Sequence, residues 1–174
     1  MHIGTKKMAT LGILLSMNQM LLIFSSFIEL STFFILALAA YLVGVAVQEA
    51  GYKLGSAFYA ASILLGFILT PNKLYWLTYI GFGTYIICFE GVREFLIRHP
   101  RYKRFLIPSK YIVFNIMYLP LLFLFPSLFF TGKINTVTMI LLIAGGQFVL
   151  YIYDRAYFVF VYQLWRGLKR KLHL

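Results

Sequence analysis

The stretch FFILALAAYLVGVAV, Phe33 to Val47, carries no charge and offers water only one tyrosine hydroxyl. Similar runs extend from Leu11 to Phe27, from Tyr111 to Phe130 and from Val137 to Tyr153. A segment of about 17–25 apolar residues spans the hydrocarbon core of a bilayer as a helix. Inside that core the backbone amides must bond within the segment, which favours helices. Across the 174 residues, 61% are hydrophobic, 12% are charged and the mean hydropathy is +0.84. That is more apolar surface than a water-soluble fold of this length buries. The chain therefore reads as an all-α, polytopic membrane protein, a single integral membrane domain over residues 1–174.

The apolar runs and their breaks predict a six-transmembrane-helix bundle. Helices are expected over Met8–Phe24, Thr32–Val47, Leu54–Leu69, Leu74–Phe89 and Tyr111–Phe130, with Pro120 and Pro126 interrupting the fifth. A sixth begins near Thr136 and runs past Tyr153 toward Trp165. The firmest turn is Thr70-Pro71-Asn72-Lys73, because proline removes a donor and disfavours helix just before it. The amino-terminal run approaches spanning length with no A-x-A site after it, so it reads as a retained helix and not a cleaved signal. A rival reading joins the second and third helices into a re-entrant pair and keeps the same sidedness.

The basic residues behind the net charge of +11 are absent from the apolar runs and gather in short connections and tails. Arg93, Arg98, Arg101, Lys103, Arg104 and Lys110 form one cluster, and Arg166, Lys169, Arg170 and Lys171 another, with Lys6 and Lys7 near the start. With both termini cytoplasmic, thirteen of the sixteen basic residues fall inside, and only Lys73 and Lys133 fall in outer turns. Arg155 lies near the inner end of the sixth helix. This is the bias expected of a multi-pass protein of the cell membrane with its ends in the cytosol. Anionic lipids then account for the basic excess, and nucleic acid is not an expected partner.

The residue inventory argues against an enzyme. Asp154 is the only aspartate, so an intramembrane aspartyl dyad cannot form within the chain. His2, His99 and His173 lie in expected tails or connections, away from any base-and-nucleophile pair with Cys88, which reads as a small packing residue. No HExxH, paired metal ligands or glycine-rich phosphate loop is present, so neither a metal nor another cofactor is expected. Gly81-Phe82-Gly83 reads as close helix packing. Glu49 with Lys53, and Glu90, Arg93, Glu94 and Arg98, stand at helical spacing and read as solvated helix ends. Asp154 and Arg155 interrupt an aromatic-rich helix and point about 100° apart, so they do not pair with each other.

The outer face gathers the candidate binding residues. Glu29 stands in the first outer break, Asn72, Lys73, Tyr75 and Trp76 in the second, and Lys133 and Asn135 in the third. Tyr75 and Tyr79 share a helix face. Aromatics with a few polar groups suit a small organic ligand, and Lys73 suits a carboxylate or phosphate. The competing reading is an interfacial aromatic belt. Asn18, Gln19, Asn115 and Gln147 lie deeper, where they line such a pocket or bond between helices. Gly12 and Ser16, four apart on the first helix, offer a small-residue face for close approach of another helix.

These residues resemble the plan of the substrate-binding S components of energy-coupling factor transporters: a small, basic, six-helix protein with both ends inside. The start Thr5-Lys6-Lys7-Met8-Ala9 leads into a small-residue first helix, and Gly51-Tyr52-Lys53-Leu54-Gly55-Ser56-Ala57 opens the third. The resemblance implies capture of a vitamin or other micronutrient, here a small polar or anionic solute, from the outer side. It also implies docking on a membrane coupling protein driven by ATPase subunits. An AxxxA pattern on the first helix often forms that docking face in the family. Here Ile13 stands four residues after Ala9, and Gly12 with Ser16 supplies the small-residue spacing instead. The family's ligand site lies toward the outside, where Glu29, Asn72, Lys73, Tyr75, Trp76 and Tyr79 are expected. The same fold also serves non-transporting membrane scaffolds of the rod-shape type.

Overall fold

A computed structural model describes residues 4–27, 31–124, 135–165 and 167. Six α-helices account for most of them: α1 (Thr5–Phe24), α2 (Thr32–Ala50), α3 (Tyr52–Leu69), α4 (Lys73–Arg98), α5 (Leu106–Leu124) and α6 (Thr136–Phe158). A 3-10 turn, Pro100–Phe105, leads into α5, and a π-helical stretch, Val159–Trp165, continues α6. No strand occurs among the described residues. The α1, α2 and α3 helices, and the 30-residue run Thr136–Trp165, are long and apolar enough to cross a membrane.

The chain divides into two compact units, Met1–Gly91 with Phe160–Leu174, and Val92–Val159. In the first, α2 is the core helix: Leu36, Ala39, Ala40, Val43, Val45 and Ala46 are fully buried. Its small residues let neighbours approach where lipid provides no hydrophobic drive between helices. Gly51 makes the sharp return from α2 to α3, with φ +92° in the left-handed region that side chains resist. One turn later Gly55 faces α2 so closely that an added Cβ would overlap Val47 Cγ2 and stand 2.7 Å from the Val47 Cα.

The bonds between helices fix the registers. Asn18 with Ala39 and Ser25 with Thr32 set α1 antiparallel to α2. Gln19 with Ser62, and Leu22 beside Gly66, set α1 parallel to α3. Tyr52 against Gly91, Tyr59 against Gly83 and Ser62 against Tyr79 set α3 antiparallel to α4. The α3 positions 55, 59, 62 and 66, with the capping residue Thr70, recur every three or four residues and form one buried stripe.

In the second unit α5 and α6 form an antiparallel pair. Asn115 and Gln147 exchange side-chain hydrogen bonds, with Gln147 Nε2 donating to Asn115 Oδ1 at 2.8 Å. Tyr118 donates to the Leu142 carbonyl at 2.9 Å, and its ring fills the space that a side chain at Gly146 would need. Large apolar side chains such as Ile112, Ile116, Val137, Ile140, Leu141 and Phe148 are exposed, a surface suited to lipid chains.

Several expected features shift. The helix expected to end at Phe89 continues to Arg98, because Gly91 packs against Tyr52 and does not break it. The fifth helix begins at Leu106, five residues early, with Pro108 in its first turn, where the missing amide proton has no helical partner to lose. It also passes through Pro120 to Leu124; residues 125–134, with Pro126 and Lys133, lie outside the described residues. Cys88 is exposed and not packed. Gly83 is a packing glycine as expected, whereas Gly81 is exposed with no neighbour within 4 Å.

Glu90 is the clearest departure. Instead of a solvated helix end it is buried, at 1% exposure, and accepts from Gln48 Nε2 at 3.1 Å and the Tyr162 hydroxyl at 3.2 Å. Glu49 and Lys53 do not share a helix face, because Gly51 breaks the helix between them; Glu49 accepts from the Trp165 indole at 2.9 Å. The expected Glu94–Arg98 pair does form, on an exposed surface.

Candidate functional site

The richest buried polar cluster lies among α1, α3 and α4. Asn18 is fully buried and its amide donates to the Ala39 carbonyl at 2.7 Å and to the Tyr79 hydroxyl at 3.2 Å. Tyr79, also fully buried, lies 2.6 Å from Ser62 Oγ. Gln19 Nε2 donates to the Ser62 carbonyl at 3.1 Å. A level further along α4, the Tyr59 hydroxyl donates to the Ile80 carbonyl at 2.7 Å and lies 2.8 Å from Thr84 Oγ1. Asn18 and Gln19 thus bond between helices. Polar groups in a span must find partners inside the protein, because lipid offers none.

The cluster is not closed. Among the described residues, Gln19 Oε1 is buried without a hydrogen-bond partner, and so are the hydroxyls of Ser26 and Thr70. The parallel register of α1 and α3 pairs 19 with 62 and 22 with 66, which carries 26 to the level of 70. Unused hydrogen-bonding capacity therefore follows one edge of α1 and α3 toward the α3–α4 turn. An unmet buried polar group costs about 1–3 kcal/mol, so such positions are sought by a ligand or a water.

No protein-family model, curated protein or solved structure matches this chain.

The sequence-predicted site residues occupy that turn, where they hold the two helices together. Asn72 Oδ1 accepts from the Leu74 amide at 3.0 Å, which fixes the first turn of α4. The Lys73 ammonium donates to the Phe67 carbonyl, and to the Thr70 carbonyl at 3.1 Å. It thereby satisfies the open carboxyl end of α3 and favours its dipole. It also stands 4.7 Å from the Phe67 ring centre. Trp76 donates its indole proton to the Ile63 carbonyl at 2.9 Å and packs edge-on against Phe67. Tyr75 is half-buried, whereas Tyr79, four residues on, reaches the interior. Glu29 lies outside the described residues.

The structure therefore joins Asn72, Lys73 and Trp76 at one turn and places Tyr79 below them in the polar cluster. Ser62, Tyr59, Thr84 and Thr70 belong to the same region and were not singled out from sequence. The stripe at 55, 59, 62, 66 and 70 was the available signal, since its small and hydroxyl residues alternate with apolar ones at helical spacing. On α1, Gly12 is exposed with no neighbour within 4 Å, and Ser16 bonds back to the Gly12 carbonyl at 3.1 Å. Ile13, Met17 and Met20 are exposed on the same helix.

Proposed function

We propose that the chain is the substrate-capture subunit of an uptake system of the energy-coupling factor type, taking a small polar or anionic solute of the vitamin or micronutrient class. In this reading it crosses the cell membrane six times with both termini in the cytosol, so the α3–α4 turn faces outward. The observation that carries the reading is the open edge of the buried cluster. Among the described residues, Gln19 Oε1 and the Thr70 hydroxyl have no partner, in the region of Trp76 and Tyr79. Polar side chains within membrane spans face the bundle interior or a water-filled cavity, the setting of substrate paths. A solute with donors enters against Gln19 and Thr70, stacks on Trp76, and draws the Lys73 ammonium from the end of α3 toward its anionic group.

Energy comes from ATPase subunits through a membrane coupling protein, which docks on the exposed Gly12 and Ser16 face of α1. That face equally favours a second reading, a non-transporting scaffold or assembly factor whose partner packs there. Native mass spectrometry of the gently extracted protein tests both. A retained small molecule that Lys73→Ala and Trp76→Ala each release supports capture. Unchanged retention in both variants refutes the site, and a stable partner without ATPase subunits selects the scaffold.

A further inference from the structure

Within the Val92–Val159 unit, a cavity of about 200 Å³ opens between α5 and α6 and is lined by Lys110, Tyr111, Tyr151, Asp154 and Arg155, with Ile107 and Leu150. Lys110 Nζ donates to Asp154 Oδ2 at 2.6 Å, with both side chains about one-fifth exposed. The other oxygen, Asp154 Oδ1, is buried and accepts no hydrogen bond among the described residues. Arg155 lines the same cavity, in which Lys110 engages only one oxygen of Asp154, while Glu94 pairs with Arg98. The cavity thus presents the Arg155 guanidinium beside a carboxylate oxygen that has no hydrogen-bond partner among the described residues, with a net charge of one positive.

Depth narrows the ligand. Asp154 is eighteen residues beyond Thr136. At 1.5 Å per residue that is ~27 Å of rise, close to the hydrocarbon thickness of a bilayer. Asp154 and Arg155 therefore stand at an interface, at the level of lipid phosphates, while the Asn115–Gln147 pair lies deeper. A guanidinium there seeks a phosphate, for which its planar fork is well matched. The Tyr111 and Tyr151 hydroxyls add donors, and Asp154 Oδ1 calls for a hydroxyl that donates.

We propose that this cavity holds the headgroup of an anionic glycerophospholipid that carries free hydroxyls, of the phosphatidylglycerol type. The phosphodiester accepts from Arg155 and the tyrosines, and a headgroup hydroxyl donates to Asp154 Oδ1. An ethanolamine headgroup fits less well, because its zwitterion leaves the net positive charge of the lining unmatched, whereas a glycerol headgroup keeps the phosphodiester's full negative charge. This goes beyond solute capture and rests only on membrane insertion; loss of the solute site leaves it untouched.

The test is lipid competition by native mass spectrometry on the full chain, delipidated in detergent, with phosphatidylglycerol and phosphatidylethanolamine of identical acyl chains. The wild type is expected to retain the glycerol lipid over the ethanolamine lipid by about fivefold, the effect of one basic side chain near an anionic lipid surface. Arg155→Gln is expected to bring the ratio near one, and Lys53→Gln to leave it unchanged. Equal retention of the two lipids by the wild type overturns the proposal whether or not any variant folds. A folded Arg155→Gln protein with full selectivity also overturns it. Displacement of the lipid by millimolar inorganic phosphate would assign the site to a soluble anion and reject the lipid.

Discussion

Gly83→Ala, set against Gly81→Ala, isolates the packing that holds α3 to α4. At Gly83 an added methyl would overlap Tyr59 Cε2 and stand 3.0 Å from Cζ. The ring cannot swing away cheaply, because its hydroxyl is held by the Ile80 carbonyl and Thr84. Overpacking of this kind costs about 1–3 kcal/mol. Loss of the two hydrogen bonds adds about 0.6 kcal/mol each, the average for bonds between membrane helices. Alanine returns about 1 kcal/mol in helix propensity. The net expectation is destabilisation by about 2 kcal/mol, up to roughly thirtyfold in the folding equilibrium. Gly81 is two residues away on the exposed side with nothing within 4 Å. Its alanine variant retains only the propensity gain and is expected to be neutral or up to ~1 kcal/mol more stable. Unfolding of the purified protein in mixed micelles, titrated with denaturing detergent, reads both. Equal shifts for the two variants would show that the Tyr59–Gly83 contact does not govern this interface.

Two further outcomes follow from the polar contacts. A double-mutant cycle with Asn18→Leu and Tyr79→Phe, followed by the same unfolding titration, is expected to give a coupling of about 0.5–1.7 kcal/mol, as for hydrogen bonds between membrane helices; additive effects would dissolve the pairing. Lys110→Ala is expected to destabilise more than Arg98→Ala. The first strands a carboxylate that is one-fifth exposed, while the second removes a pair exposed at 72% and 40% and worth about 0.3–0.5 kcal/mol. The reverse order in thermal unfolding would contradict this.

The candidate site was partly legible. Asn72, Lys73 and Trp76 were visible because a proline turn in an apolar chain exposes every polar neighbour. Their bonds were not visible: Lys73 closes the end of α3, and Trp76 reaches back to Ile63. Glu90 was misread for a related reason. Its spacing from Glu94 and Arg98 describes one helix, but Gln48 and Tyr162, remote in sequence, bury it. The α5 start was missed because Pro108 signals a break in sequence, yet it is tolerated in a first turn.

Sequence alone determined that the chain is helical and suited to lipid, because backbone amides in hydrocarbon leave few alternatives and the apolar runs have the required length. It also set where charge can stand, since ions near helix ends cost least. Only the tertiary structure decided which polar groups meet. The pairs Asn18 with Tyr79, Lys110 with Asp154 and Glu90 with Tyr162 depend on register between helices. That register comes from how closely small residues such as Gly55 and Gly83 let backbones approach, a distance no single helix encodes.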